Sequence, residues 1–160
     1  MPDLRRRAMI LSLVPAFFGS AAAASLPQLR VFKNAGCTCC DGWLAHLRAA
    51  GFSASVTEAD TLIPVRRAAR VPDELAGCHT AFADALVLEG HVPLAAVMAF
   101  LREPRQWRGI AVPAMPLGSP GMEVPGQPPE PYTIWAFDAA GGRAAYADAL
   151  GPDVRFRPPG

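Results

Sequence analysis

Charge is scarce in this chain. Only 18% of its 160 residues are Asp, Glu, Lys or Arg, and their signs nearly cancel to a net +1. No basic field exists to hold phosphates, and the arginines are scattered, which argues against a nucleic-acid partner. Also missing are a G-x-S-x-G elbow, an H-E-x-x-H pair and a glycine-rich phosphate loop. Glu58 and Asp60 could share one face of a strand, but they read as solvated carboxylates, with Asp60 capping the next helix. There is no internal repeat and no sign of a second domain. Cysteines number four, and a chain of this length can bury a core without a disulfide scaffold. Proline and glycine, by contrast, are plentiful at 17 and 14. They predict long ordered loops and few regular elements.

The N-terminus has a basic start (Arg5, Arg6, Arg7), an apolar run from Ala8 to Phe18 and small residues up to Ser25. That three-part order predicts an export signal over residues 1–24, with Ala22-Ala23-Ala24 as the cleavage tripeptide. The rival reading, a retained anchor, is weakened by Pro15, Gly19 and the alanine run, because a spanning helix needs about 20 strongly apolar residues. "RRRAMIL" has two arginines before an apolar pair, as twin-arginine signals do, but lacks the usual polar residue ahead of them. Cleavage would leave residues 25–160 as a single periplasmic domain without stable membrane insertion. That chain would carry twelve basic and thirteen acidic residues. Outside the cytoplasm disulfides can form and persist, so its cysteines could serve either redox or metal chemistry.

Leu29 to Lys33 reads as a strand and Asp41 to Ala50 as a helix, with Gly51 at its C-terminal cap. Trp43, Leu44 and Leu47 form a buried stripe in register with Cys40, and His46 lies off its flank as a surface residue. "FSASVTEAD" supplies a second strand, parallel to the first through a right-handed crossover. "TLIPVRRAARV" predicts a second helix with Pro64 in its first turn, followed by at most one more turn in "PDELAG". "CHTAFADALVLEGHV" reads as a hairpin turning at Ala83-Asp84, and Pro93 opens a third helix, with Met98 in its core face. Arg105 to Pro131 is expected to be loop, with eight prolines once Pro104 is included. "YTIWAFDAAGGRAAYA" closes the fold as a hairpin at Gly141-Gly142. The tail after Gly151 shows no periodicity. The order predicts an α/β fold: a thioredoxin-like βαβ core, then hairpin strands and a helix, with a long Pro-rich loop.

Three of the four cysteines fall within "CTCC", at 37, 39 and 40. Cys37 and Cys40 make a C-x-x-C at a helix N-terminus, where N–H groups and the dipole favour thiolate. Thiolate suits both disulfide exchange and metal ligation. Cys39 is the informative extra, an inconvenient competitor for a two-cysteine switch but one more ligand for a soft metal such as Cu(I) or zinc. Cys78 is a further ligand, or else a buried structural thiol or disulfide partner, and His79 beside it a ligand or an ordinary hairpin residue. Met115 and Met122 bracket "PLGSPG", either as thioether donors or as gap-fillers. His91 either finishes the hairpin or ligates.

"CTCCDGWLAHLRAAGF", "PDELAGCHTA", "EGHVP" and "AVPAMPLGSPGME" follow one another in that order. Together they resemble the family of small exported bacterial metal-binding proteins described as CopG-like, associated with copper resistance. The resemblance spans Leu29 to Asp138 and implies a thioredoxin-like fold. It also implies a metal site of Cys37, Cys39, Cys40 and Cys78, with His79 next and Met115 and Met122 after it. Thr38 stands where members commonly have glycine, which bears on the loop geometry rather than the ligands. The resulting expectation is a non-enzymatic Cu(I)-binding protein, zinc being the alternative ion, with another copper-handling protein as a second partner. The competing expectation is a thiol–disulfide oxidoreductase in which Cys37 attacks and Cys40 resolves. Val112-Pro113 would then supply the cis-proline such folds place beside the pair.

Overall fold

The computed structural model describes residues 25–158, so the signal expected over 1–24 lies outside the described residues. Among those described, no helix is long and apolar enough to cross a membrane. The chain runs β1 (Leu29–Asn34), α1 (Thr38–Ala49), β2 (Ala54–Ala59), α2 (Ile63–Ala69), a short 3₁₀ turn (Asp73–Leu75), β3 (His79–Ala83), β4 (Leu86–Glu89), α3 (Leu94–Arg102), β5 (Gly109–Ala111), β6 (Pro131–Phe137), β7 (Arg143–Leu150) and β8 (Asp153–Phe156). The eight strands among the described residues join one mixed sheet in the order β2-β1-β3-β4-β5-β6-β7-β8. The expected βαβ unit is present, with β1 and β2 parallel. The hairpin β3–β4 lies antiparallel beside β1.

Side chains alternate across this sheet with the two-residue period of a strand. Val31, Ala81, Leu88, Ile110 and Ala136 join one core together with Trp43, Leu44 and Leu47 of α1 and Val97 and Phe100 of α3. Their chain neighbours Val87, Ala111 and Phe137 face the other way and pack with Ala69 of α2, Val71 and Leu75. Helices α1 and α3 therefore cover one face and α2 the other.

Helix α1 stops as the sequence implies. Gly51, at φ +96°, donates its N–H to the Arg48 carbonyl, and Phe52 N–H reaches back to Leu47 O, the paired bonds of a Schellman cap. It begins three residues earlier than expected, at Thr38. Three other expectations are corrected. The segment Arg105–Pro131 is not all loop, because Gly109–Ala111 forms β5 between β4 and β6. The tail is not featureless either: Asp153–Phe156 pairs with β7 as an edge strand. Finally, the Val112–Pro113 peptide is trans, since the described residues contain no cis bond.

Candidate metal centre

The four cysteines meet at one end of the sheet. A turn at Asn34–Cys37, closed by Cys37 N–H donating to Asn34 O, carries β1 into α1. Cys37 is the N-cap, and Cys39 and Cys40 occupy the first turn. Lys33 fastens this turn. Its buried ammonium lies 2.9 Å from Asp41, 3.0 Å from Glu58 and 3.3 Å from the Cys37 carbonyl. The bond to Asp41, then that to Glu58, raises its pKa above the usual lysine value.

Cys37 and Cys40 are joined by a disulfide, while Cys39 and Cys78 are free thiols. Cys39 Sγ lies 3.4 Å from Cys37 Sγ, and Cys78 Sγ lies 3.4 Å from Cys40 Sγ. Cys37 and Cys39 are half-buried, whereas Cys40 and Cys78 are buried. The site thus runs from a partly open sulfur pair to a closed one. At the open end Met115, an exposed side chain, sets its Sδ 3.9 Å from Cys39 Sγ.

At the closed end are two histidines with no solvent exposure. His79 Nδ1 lies 3.5 Å from Cys78 Sγ, and its ring tilts against Trp43 at 4.2 Å. His91 Nε2 approaches Cys78 Sγ at 2.8 Å. Its Nδ1 sits 2.7 Å from the Pro120 carbonyl. A carbonyl can only accept, so Nδ1 carries the proton and neutral His91 keeps a lone pair on Nε2, toward the thiol. Metal-binding histidines are commonly oriented by such a backbone bond on the second nitrogen.

Burial sets the protonation states. It pushes the Cys78 thiol up to about 12, with nearby Cys39 adding to the shift. It lowers His79 to about 3, helped by the neighbouring His91 and Arg66, and lowers His91 against the opposing pull of its bond to Pro120. The closed end therefore holds neutral imidazoles and a protonated thiol, whose S–H can point at His91 Nε2. A bound cation would reverse that preference, because a coordinating thiol gives up its proton.

The donor set fits a soft metal. One atom from each of Cys37, Cys39, Cys40 and Cys78 lies within 4.8 Å of the others, and the same holds for Cys40, Cys78, His79 and His91. His79 Nε2 is buried without any hydrogen-bond partner. The nitrogen that faces Cys78 is the other one, Nδ1, so the unpaired Nε2 is a cost the site carries.

Of the residues singled out in the sequence, Cys37, Cys39, Cys40, Cys78 and His79 converge, and Met115 reaches the rim. Met122 contributes backbone: its carbonyl accepts from Gly118 N–H and its N–H donates to Ser119 O. These bonds shape the turn that presents Pro120 to His91. The residue underweighted in sequence is His91. In β3–β4 Thr80 faces Glu89. Continuing that antiparallel register outward puts His79 opposite Gly90 and Cys78 opposite His91. The turn lies at Asp84-Ala85, one residue beyond the expected Ala83-Asp84, and it is this register that pairs them.

The family model described as "Protein of unknown function, DUF411" matches residues 75–122, the stretch that holds Cys78, His79, His91, Met115 and Pro120. Two solved structures share the fold. "Copper resistance protein copG- Form 1" is 32% identical with a TM-score of 0.72, covering 78% of this chain and 99% of that one. "Copper resistance protein copG- Form 2" is 35% identical with a TM-score of 0.71, covering 78% and 98%. No curated protein gives a significant match.

Proposed function

This chain belongs to the family of CopG-like copper resistance proteins, and on that premise we propose that it is a periplasmic Cu(I)-binding protein with no enzymatic turnover of its own. The observation that carries the reading is the convergence on Cys78, whose sulfur lies 3.4 Å from Cys40 Sγ and 2.8 Å from His91 Nε2. In the reduced protein Cys37, Cys39, Cys40 and Cys78 supply the thiolates, His79 and His91 close the inner end, and Met115 adds a thioether at the rim. Met122 remains a candidate donor through its own thioether. The inner Cys₂His₂ set would also suit zinc. The extra thiolates and a thioether favour Cu(I). The half-buried sulfurs beside Met115 form the side from which a copper-handling partner would deliver or collect the ion. Cleavage after residue 24 would release the domain into the periplasm, and an intact Met1 in the mass spectrum of exported protein would rule that out.

The test is a titration of reduced, metal-free protein with Cu(I) against a calibrated chelator. Cys39→Ser and Cys78→Ser should each weaken binding by at least about tenfold, the scale lost even when a residue merely supporting a ligand is removed. Wild-type affinity in both variants would end this reading. Zinc added in excess should fail to displace the copper.

One observation favours a second reading, thiol–disulfide exchange. Cys37 and Cys40 are already joined, with the half-buried member at the helix N-cap and the buried one behind it. Under that reading Cys37→Ser and Cys40→Ser abolish turnover of a disulfide substrate while Cys39→Ser leaves it unchanged. Loss of Cu(I) binding in Cys39→Ser without any measurable exchange activity in the wild type would exclude it.

A further inference from the structure

We propose that Arg66 and Glu89, on the sheet face opposite the sulfur cluster, are positioning residues that hold Gly77 and so fix Cys78 for metal binding. This rests on the Cu(I) reading and names what keeps its inner half in place. Leu88 belongs to the core under α1 and α3. The next residue, Glu89, therefore points the other way, toward α2, where it is completely buried. Its Oε1 accepts from Arg66 Nε and from Gly77 N–H, both at 2.8 Å, and its Oε2 accepts from Thr80 Oγ1 at 2.6 Å. Arg66 also donates through Nη2 to the Gly77 carbonyl. Both backbone polar groups of Gly77 thus end on one ion pair, and its carbonyl belongs to the peptide bond that leads into Cys78.

The contact on the other side of Gly77 leaves no slack. A Cβ there would lie 2.6 Å from Gly90 Cα, and a Cβ on Gly90 would lie 2.3 Å from Val112 O. Gly90, at φ +70°, is the residue before His91. The two ligand-bearing segments are therefore packed backbone to backbone, and any displacement of Gly77 moves Cys78 relative to His91. A buried ion pair contributes little net stability compared with apolar residues of the same shape. Its directional bonds to one peptide are what an apolar replacement would not reproduce.

The experiment uses reduced full-length protein, with Cu(I) affinity from chelator competition, thiolate-to-Cu(I) absorption in the near ultraviolet, and the urea midpoint of the metal-free form. Arg66→Lys and Glu89→Gln keep size and solubility but loosen the grip on Gly77. Each should weaken Cu(I) by about 10- to 100-fold, the usual cost of losing a residue that orients a ligand, and alter the absorption band. Placed in a Cys78→Ser background, the same substitutions should change affinity by less than about twofold, because their effect passes through Cys78. Wild-type affinity in both single variants would overturn the proposal. An equal loss in the Cys78→Ser background would also overturn it, since that marks general loosening. Should either single variant fail to fold, the charge-free pair Arg66→Met with Glu89→Leu replaces it, and wild-type affinity there is again fatal. No Cu(I) binding by the wild-type chain would instead remove the reading beneath.

Discussion

His91 has a partner for each ring nitrogen, the Pro120 carbonyl on one side and the Cys78 thiol on the other. Replacing it with alanine should lower Cu(I) affinity by about tenfold or more in the chelator assay, while His46→Ala, at an exposed histidine paired with Glu123, should leave affinity unchanged. His79 makes a different contribution, readable without metal. Its folded pKa is depressed from 6.5 to about 3 by burial, then by His91 and Arg66. The unfolded chain takes up a proton that the folded chain refuses, so this stabilisation is complete above about pH 6.5 and drains away as pH falls toward 3. Metal-free protein should therefore lose more stability between pH 7 and 4 than His79→Gln does, judged by urea midpoints. The buried Glu89 carboxyl shifts upward and acts in the opposite sense, but it is common to both proteins. Trp43 donates Nε1–H to Val92 O at 2.9 Å inside the core, so Trp43→Phe should cost about 1–3 kcal/mol by leaving that carbonyl unpaired. At this scale the sequence was most legible where chemistry and spacing coincide, as in "CTCC". It was least legible at His91, because one histidine after a glycine looks the same whether it ends a hairpin or faces a thiol.

The segment from Pro113 to Met122 is the element that closes the site, and it is held to α1 by a contact between two glycines. A Cβ on Gly42 would lie 2.9 Å from Gly121 Cα, and one on Gly121 would lie 2.3 Å from the Cys39 carbonyl. Both obstacles are backbone, so nothing can swing aside. Gly42→Ala should push the segment off the helix, draw Pro120 O away from His91, destabilise by about 1–3 kcal/mol and weaken Cu(I) binding as well. Urea unfolding and the chelator titration would each report it; a stable variant with intact affinity would mean that the segment is not needed to orient His91. Helices and the longer strands were visible in the sequence because their apolar periods were long enough to read. The strand Gly109–Ala111 was not, because three residues carry no period. It is a strand only because β4 and β6 flank it and supply its hydrogen-bond partners. The edge strand Asp153–Phe156 likewise exists through β7, a tertiary cause that local pattern cannot express.

Across the whole molecule, the sheet gathers its chemistry at one end: the exit of β1, the entry to β3 and the exits of β4 and β5. The β1–α1 turn brings three sulfurs, the β3–β4 hairpin brings Cys78 and both histidines, and the chain after β5 brings Met115 and Pro120. Cys39 and Met115, 76 residues apart in sequence, thus share a site that no single window of sequence contains. The disulfide between Cys37 and Cys40 gives this assembly a dependence on its surroundings. Forming it withdraws two electrons, releases two protons and takes two sulfurs out of coordination at once. Ambient oxidant and cuprous ion would then compete for the same atoms, so the number of ions carried becomes a readout of redox history. Protein handled in air should take up less Cu(I) per chain than protein reduced beforehand, with thiol titration showing two fewer free thiols. Equal uptake would show that neither Cys37 nor Cys40 is needed to carry the load.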